Sequence, residues 1–282
     1  MNQTGKAPKL FANGANIPAI GLGTYRMRDA DCARAVETAI AVGYRHVDTA
    51  AMYGNEAAVG AGLKASGLAR DELFVTTKVW HDDIGAGDLQ KSAGESVKRL
   101  GLEQVDLLLI HWPNKSVPLS TSIAALCDAR KQGLTRHIGV ANFPAALLDL
   151  AARLAESHGH RLVVNQCEYH PRLDQTRLLA ACRKLGVLFT SYCPVGQGTM
   201  VSDPAIVAIA RRLGKTPAQV VLRWHMQQPG VAAIPKSSQL AHLKENIDVF
   251  DFSLTDADMA ALFALAAPNG RLVQPGFAPD WD

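Results

Sequence analysis

Short apolar runs alternate along this chain with segments whose apolar residues recur at helical spacing. The runs are AIGLGT (19–24), RHVDT (45–49), LFVTTKV (73–79), VDLLLIH (105–111), HIGVAN (137–142), VVNQCEY (163–169), VLFTSY (187–192) and VAAIPK (231–236). Runs of this length bounded by turn residues read as strands. The 3.6-residue spacing predicts helices over Ala30–Ala41, Leu89–Leu100, Ala124–Lys131, Ala145–Leu154, Thr176–Leu185 and Ala218–Met226, with others starting near Asn55 and over Asp256–Leu265. Asp88 and Thr216-Pro217 look like helix openings, and Gly43, Gly101, Gly133, Gly186 and Gly214 like closures. Apolar strands separated by helices imply parallel βαβ units with both sheet faces covered.

Ahead of these units, KLF and NIP flank Asn13-Gly14, the signature of a tight hairpin. About eight βα units in 282 residues match a (β/α)8 barrel. The rival, a doubly wound open sheet that binds nucleotides, opens with G-x-G-x-x-G; here Gly21 and Gly23 are followed by Arg26, and the pattern fails. No linker or composition break divides the chain. The expected architecture is therefore an α/β fold, one (β/α)8 TIM barrel domain over 1–282. An N-terminal β-hairpin precedes the barrel and a C-terminal tail lies over its mouth.

Composition narrows the partners. A hydrophobic content of 48% supports a large core, and a net charge of +3 without long like-charge runs argues against nucleic acid or a membrane surface as partner. Cys32, Cys127, Cys167, Cys182 and Cys193 are an odd, scattered set, which reads as reduced thiols. No apolar stretch approaches the roughly 18 residues of a membrane span, and the first residues lack a signal-peptide core. A soluble, cytoplasmic protein acting on a small molecule is expected.

Polar residues at the strand ends change the picture most. In a barrel, catalytic groups sit where strands end and βα loops converge. Here the second strand ends at Asp48, the third at Lys78, the fourth at His111 and the fifth at Asn142. The sixth carries Asn165, Gln166 and Glu168, the seventh ends at Tyr192, and the eighth at Lys236-Ser237. Tyr53 follows Asp48 by five residues. Taken singly, Asp48 reads as a turn residue, Tyr53 as a packed aromatic, Lys78 as a solvated charge and His111 as a satisfied core histidine. All four on one barrel face by accident is a poorer account. An ammonium about 4 Å from a phenol, at an effective dielectric near 20, would favour the phenolate by ~4 kcal/mol before the lysine's own desolvation. Asp48 would keep Lys78 charged, and His111 would orient a carbonyl oxygen. Trp80 and Trp112 would wall the pocket. With no nucleophile and no HxH metal pair, the set implies proton donation coupled to a hydride-carrying cofactor. Lys236 and Ser237 are placed where barrels bind phosphate, and Tyr192 offers a flat face to a nicotinamide ring.

The segment GYRHVDTAAMYGNEAAVG (43–60), with VDLLLIHWP, NQCEYHP and IPKS similarly placed, resembles the aldo-keto reductase family over almost the whole chain. The resemblance implies a monomeric (β/α)8 barrel reducing aldehydes or ketones with NADPH. It assigns Tyr53 as general acid, Asp48 and Lys78 as its tuning pair, and His111 as carbonyl-orienting. For cofactor it assigns Asn142 and Gln166 to the carboxamide, Tyr192 to the ring, Lys236 and Ser237 to the 2′-phosphate and ribose, and Glu245 and Asn246 to the adenine. Gly23, Thr24, Cys193, Val195, Ser238 and His242 complete the cofactor set, and Tyr25 joins Trp80 and Trp112 in the substrate pocket. Taken alone, Cys193 is a small buried filler. The tail GRLVQPGFAPDWD and the short loop after His111 look most like the 2,5-diketo-D-gluconate reductase branch, close to its B form. That points to small polar substrates such as keto-sugar acids and methylglyoxal-like aldehydes. Arg271 and Trp281 in the tail are expected at the pocket mouth.

Two positions depart from the family pattern. Ala141 stands where a serine is usual, removing one hydroxyl partner worth about 0.5–1.5 kcal/mol. His242 stands where an arginine is usual, and a guanidinium grips phosphate bidentately in a way an imidazole does not. NADPH is expected to remain preferred, with NADH partly usable. Two other readings compete: a metal-dependent hydrolase on His111, Glu168 and His170, and a non-catalytic NADP(H)-binding sensor or regulatory module. The first lacks a paired ligand motif, and the second leaves four filled catalytic positions without a use.

Overall fold

The structure, a computed structural model, describes residues 7–282. A hairpin of β1 (Lys9–Ala12) and β2 (Ala15–Pro18) comes first. Eight parallel strands follow: β3 (Leu22–Gly23), β4 (His46–Asp48), β5 (Phe74–Val79), β6 (Val105–Ile110), β7 (Thr135–Ala141), β8 (Leu162–Glu168), β9 (Leu188–Tyr192) and β10 (Val231–Ala233). Each strand pairs with the next. The ring is closed beside β3, where Gly21 N donates to Ala233 O at 2.9 Å and Ala233 N to Ala19 O at 2.9 Å. This is a (β/α)8 barrel.

Helices follow the strands as the apolar spacing predicts: α1 (Asp29–Ala41), α2 (Glu56–Ala65), α3 (Asp88–Leu100), α4 (Leu119–Lys131), α5 (Ala145–Ser157) and α6 (Thr176–Leu185). After β9 come α7 (Pro204–Leu213) and α8 (Pro217–Met226), and β10 leads to α9 (Leu240–Ile247) and α10 (Asp256–Phe263). Thr216 caps α8 as expected: its Oγ1 accepts from Gln219 N at 3.3 Å, while Gln219 Oε1 accepts from Thr216 N at 3.0 Å. Gly101 and Gly186 close α3 and α6 at φ +67° and +65°, a left-handed conformation that costs glycine nothing.

Three expectations about elements need correction. The eighth strand stops at Ala233, not Lys236, because Pro235 lacks the N–H needed to continue the ladder. Asp88 is the first helical residue of α3 rather than its opening cap; the cap is Gly87, whose N–H donates to Gln90 Oε1 at 2.9 Å. Helix α7 was absent from the predicted elements, although Asp203-Pro204 opens it with Asp203 Oδ1 accepting from Ala205 N at 3.0 Å.

The hairpin plugs the bottom of the barrel. Ala12, Ala15 and Ile17 share an apolar cluster with Phe74, Leu107, Leu109 and Val163. Asn13 and Gly14 both take positive φ, as a two-residue hairpin turn requires, and Asn13 Nδ2 donates to Leu162 O at 2.8 Å. A larger core lies between strands and helices. With its floor closed, the barrel is open only at its C-terminal end, and there the tail crosses it.

Candidate active site

The barrel mouth is assembled from strand ends. Asp48, the last residue of β4, and Lys78, the next-to-last of β5, are both buried, and Lys78 Nζ donates to Asp48 Oδ1 at 2.5 Å. Parallel pairing of β4 with β5 brings the two elements side by side, so residues 30 positions apart become an ion pair. Lys78 Nζ also donates to Thr49 O at 2.9 Å and lies 3.5 Å from the Tyr53 hydroxyl. Tyr53 ends a short 3-10 turn, Ala51–Tyr53, closed by Gly54 in the left-handed region. The turn holds Tyr53 half-buried, its hydroxyl directed to the buried ammonium. His111 follows β6 and packs edge-on against Tyr53 (ring centroids 5.7 Å apart) and Trp80 (5.2 Å). The structure thus brings together all four residues singled out at the strand ends.

Burial dominates the electrostatics. It pushes His111 well below the usual histidine range, helped by Lys78 and His81, so the ring is neutral. His111 Nδ1 is buried and has no hydrogen-bond partner among the described residues. Burial lowers Lys78 from its ordinary value while Asp48 opposes the shift. For Tyr53 the expectation of a lowered pKa is overturned: burial, with Asp48 adding to it, holds the phenol well above its usual value. Desolvation is the largest cause and decides the sign.

Around the four, Asp48 Oδ2 accepts from Gln166 Nε2 at 2.7 Å, a contact the strand-end pattern did not foretell. Asn142, at φ +63° just past β7, donates from Nδ2 to His111 O at 2.9 Å and accepts from Tyr192 OH at 2.8 Å. Thr24 Oγ1 donates to Asp48 O at 3.0 Å. A Cβ on Gly23 would meet Ile234 O at 2.7 Å, so the backbone is bare there. Tyr192 and Cys193 are half-buried, and burial raises the Cys193 thiol to about 11, consistent with a filler rather than a thiolate. Val195 is half-buried beside them.

Beyond β10, Lys236, Ser238 and His242 are exposed before and along the first turn of α9, and Ser237 Oγ accepts from Gln239 N at 3.1 Å. Glu245 is half-buried and Asn246 buried on the same helix. Two amide side chains at the mouth, a bare glycine edge, a flat phenol and an exposed lysine beside Ser237 and Ser238 at a helix start form a set suited to a pyridine dinucleotide phosphate. Among the described residues, no group of three or more His, Cys, Asp or Glu side chains could hold a metal ion. Glu168 and His170, weighed as metal ligands, instead hydrogen-bond each other at 3.0 Å.

The pocket walls are aromatic. Tyr25 lies 5.0 Å from Tyr53 between ring centroids, and Trp112 is buried. Arg271 stacks on Trp281 at 3.6 Å, and Trp281 faces Trp112 at 6.2 Å. Phe277 was missed by the sequence reading. It packs on His81 at 4.1 Å, Trp80 at 5.6 Å and Trp112 at 5.7 Å. An exposed aromatic in a tail without helical or strand periodicity carried no signal that could have found it.

A barrel with Asp48, Lys78, Tyr53 and His111 clustered at its mouth is the arrangement of a carbonyl oxidoreductase. Residues 19–267 match the Aldo/keto reductase family, and the chain belongs to that family, an NAD(P)H-dependent oxidoreductase. It is 44% identical over 267 residues to an aldo-keto reductase of Mycolicibacterium vanbaalenii, covering 94% of each chain. It is 40% identical over 269 residues to methylglyoxal reductase DkgB of Escherichia coli O157:H7, covering 94% of this chain and 99% of that one. Among solved structures, a protein provisionally assigned as a 2,5-diketo-D-gluconic acid reductase B superposes with a TM-score of 0.95 at 46% identity, over 98% of both chains. A Bombyx mori aldo-keto reductase in complex with NADP superposes with a TM-score of 0.87 at 35% identity, over 97% of this chain and 96% of that one.

Proposed function

We propose that this chain reduces the carbonyl group of small polar aldehydes and ketones, keto-sugar acids and methylglyoxal-like compounds among them, to alcohols with NADPH. The observation that carries the reading is the buried Asp48–Lys78 pair with the third donor of Lys78 directed at Tyr53 and His111 alongside. The names of the two reductase relatives support the substrate class. We further propose that the protein acts as a cytoplasmic monomer built as one domain.

Asn142, Gln166 and Tyr192 would hold the nicotinamide end, and Lys236, Ser237, Ser238 and His242 the 2′-phosphate and ribose. When bound, NADPH supplies the hydride equivalent that the carbonyl carbon receives. His111, neutral, donates from Nε2 to the carbonyl oxygen and aligns it with Tyr53 O–H. Because burial holds Tyr53 protonated, it enters the reaction as a full hydrogen-bond donor. As the oxygen gathers alkoxide character it becomes the stronger base and takes the phenol's proton. The phenolate left behind is stabilised by Lys78, whose charge Asp48 maintains. Trp80 and Trp112 shield the exchange from water.

Tyr53→Phe should lower kcat about 10²–10⁴-fold while NADPH still quenches the protein's tryptophan fluorescence. Near-normal turnover in that variant would remove Tyr53 from the mechanism. A panel of aldehydes, keto-sugars and diketones ranked by kcat/KM with NADPH identifies the substrate class; activity confined to large apolar ketones would contradict the polar-substrate reading.

A further inference from the structure

We infer that Glu168 is a positioning residue for substrate binding: its buried carboxylate ties the C-terminal tail to the end of β8, and that tie sets the aromatic roof over the pocket. The inference rests on the proposed reductase reading, since it takes the space beneath the tail as the substrate pocket.

Glu168 is completely buried, yet it is no part of the proton-delivery cluster. A buried carboxylate costs several kcal/mol unless its oxygens are satisfied, and here the tail satisfies them. Oε1 accepts from Leu272 N at 2.7 Å and Oε2 from Val273 N at 2.9 Å, with His170 Nε2 at 3.0 Å from Oε1. Two consecutive backbone N–H groups on one carboxylate fix the direction in which the chain leaves. Arg271, 4.0 Å from Oε2, stacks on Trp281, so the tail is also closed on itself. Between these anchors Phe277 reaches Trp80 and Trp112, the walls beside His111. The tail contributes few buried apolar side chains of its own. Ala267 N donates to Arg172 O before the tie, and Asp280 and Asp282 meet Lys115 and Ala145 N after it, so the carboxylate fixes the stretch between them, and through Phe277 the shape of the pocket.

Glu168→Gln keeps the volume, loses one acceptor and the charge, and tests the tie. Hydrogen exchange at the Leu272 and Val273 amides should speed up about tenfold or more, as expected for loss of charge-assisted hydrogen bonds. KM for methylglyoxal should rise about tenfold with kcat changed less than about threefold. In a Phe277→Ala background the same substitution should raise KM by less than about twofold, because the two act through one element. Undisturbed tail amides in Glu168→Gln, or an undiminished KM effect without Phe277, would overturn the inference. If Glu168→Gln fails to fold, Val273→Pro removes one donor from outside the barrel and should speed exchange at the remaining Leu272 amide and raise KM in the same way. A wild-type protein with no carbonyl reduction would sink the reductase reading alone, since the exchange measurement needs no activity.

Discussion

Lys78 is the residue on which the buried charges depend. It is fully enclosed, and removing it would leave Asp48 with only Gln166 donating to its side chain. Lys78→Met should therefore destabilise the fold by about 3–5 kcal/mol, the usual cost of stranding a buried charge, and suppress turnover. Urea unfolding checks the first claim; an unchanged midpoint would mean that Asp48 is not charged in the fold. At the cofactor end the residue that bears on cofactor choice is His242. With no guanidinium there to grip a 2′-phosphate, NADPH should be favoured over NADH by less than about a thousandfold in kcat/KM, and His242→Arg should widen the gap by about tenfold. A wild-type preference beyond a thousandfold would show that Lys236 alone discriminates.

At the scale of elements, one substitution in two helices should have opposite signs. Gly60 lies in α2 where a Cβ would come 2.3 Å from Leu100 O at the end of α3. Gly60→Ala must push the helices apart and should cost about 1–3 kcal/mol. Gly94 lies in α3 with nothing within 4 Å of its would-be Cβ. There alanine relieves only the backbone entropy of glycine, and stability should rise by about 0.5–1 kcal/mol. Thermal unfolding of both variants decides it, and a shared sign would refute the packing argument. The helices themselves were largely visible in advance, because burying one face imposes a 3.6-residue apolar period; α6 was predicted to the residue. Helix α7 was not, although Asp203-Pro204 opens it and Ile206, Ile209 and Ala210 keep the helical spacing; the true end of β10 was hidden because Pro235 interrupts an otherwise apolar run.

For the whole molecule, buried neutral histidines set the acid limit. Burial lowers His46 and His111, and brings His225 to about 4, with its Nδ1 hydrogen-bonded to Val221 O at 2.8 Å. Below pH 6.5 the unfolded chain takes up protons that the folded chain resists, so stability falls as pH falls. It is fully present above pH 6.5, and for His225 it is lost between 6.5 and about 4. That one residue should account for a loss on the order of 3 kcal/mol across the window. Urea titrations at pH 7.5 and 4.5 should show the drop, and His225→Gln should flatten it. Stability that is constant or higher at pH 4.5 would reverse the sign.

The sequence by itself determined the alternation of strands and helices, the barrel it implies, and the identity of Asp48, Tyr53, Lys78 and His111 as a set. Periodicity and strand-end position are local properties, and each can be read from neighbouring residues. Tertiary structure decided the rest. Tyr53 carries a raised pKa because Asp48 and desolvation act on it through space, and a pairwise estimate with Lys78 alone has the opposite sign. Gln166 meets Asp48 across 118 positions and the tail reaches Glu168 across 104 and 105, contacts that depend on strand order and on where an irregular segment comes to rest. No spacing rule encodes such distances, because they are set by the closure of the barrel as a whole.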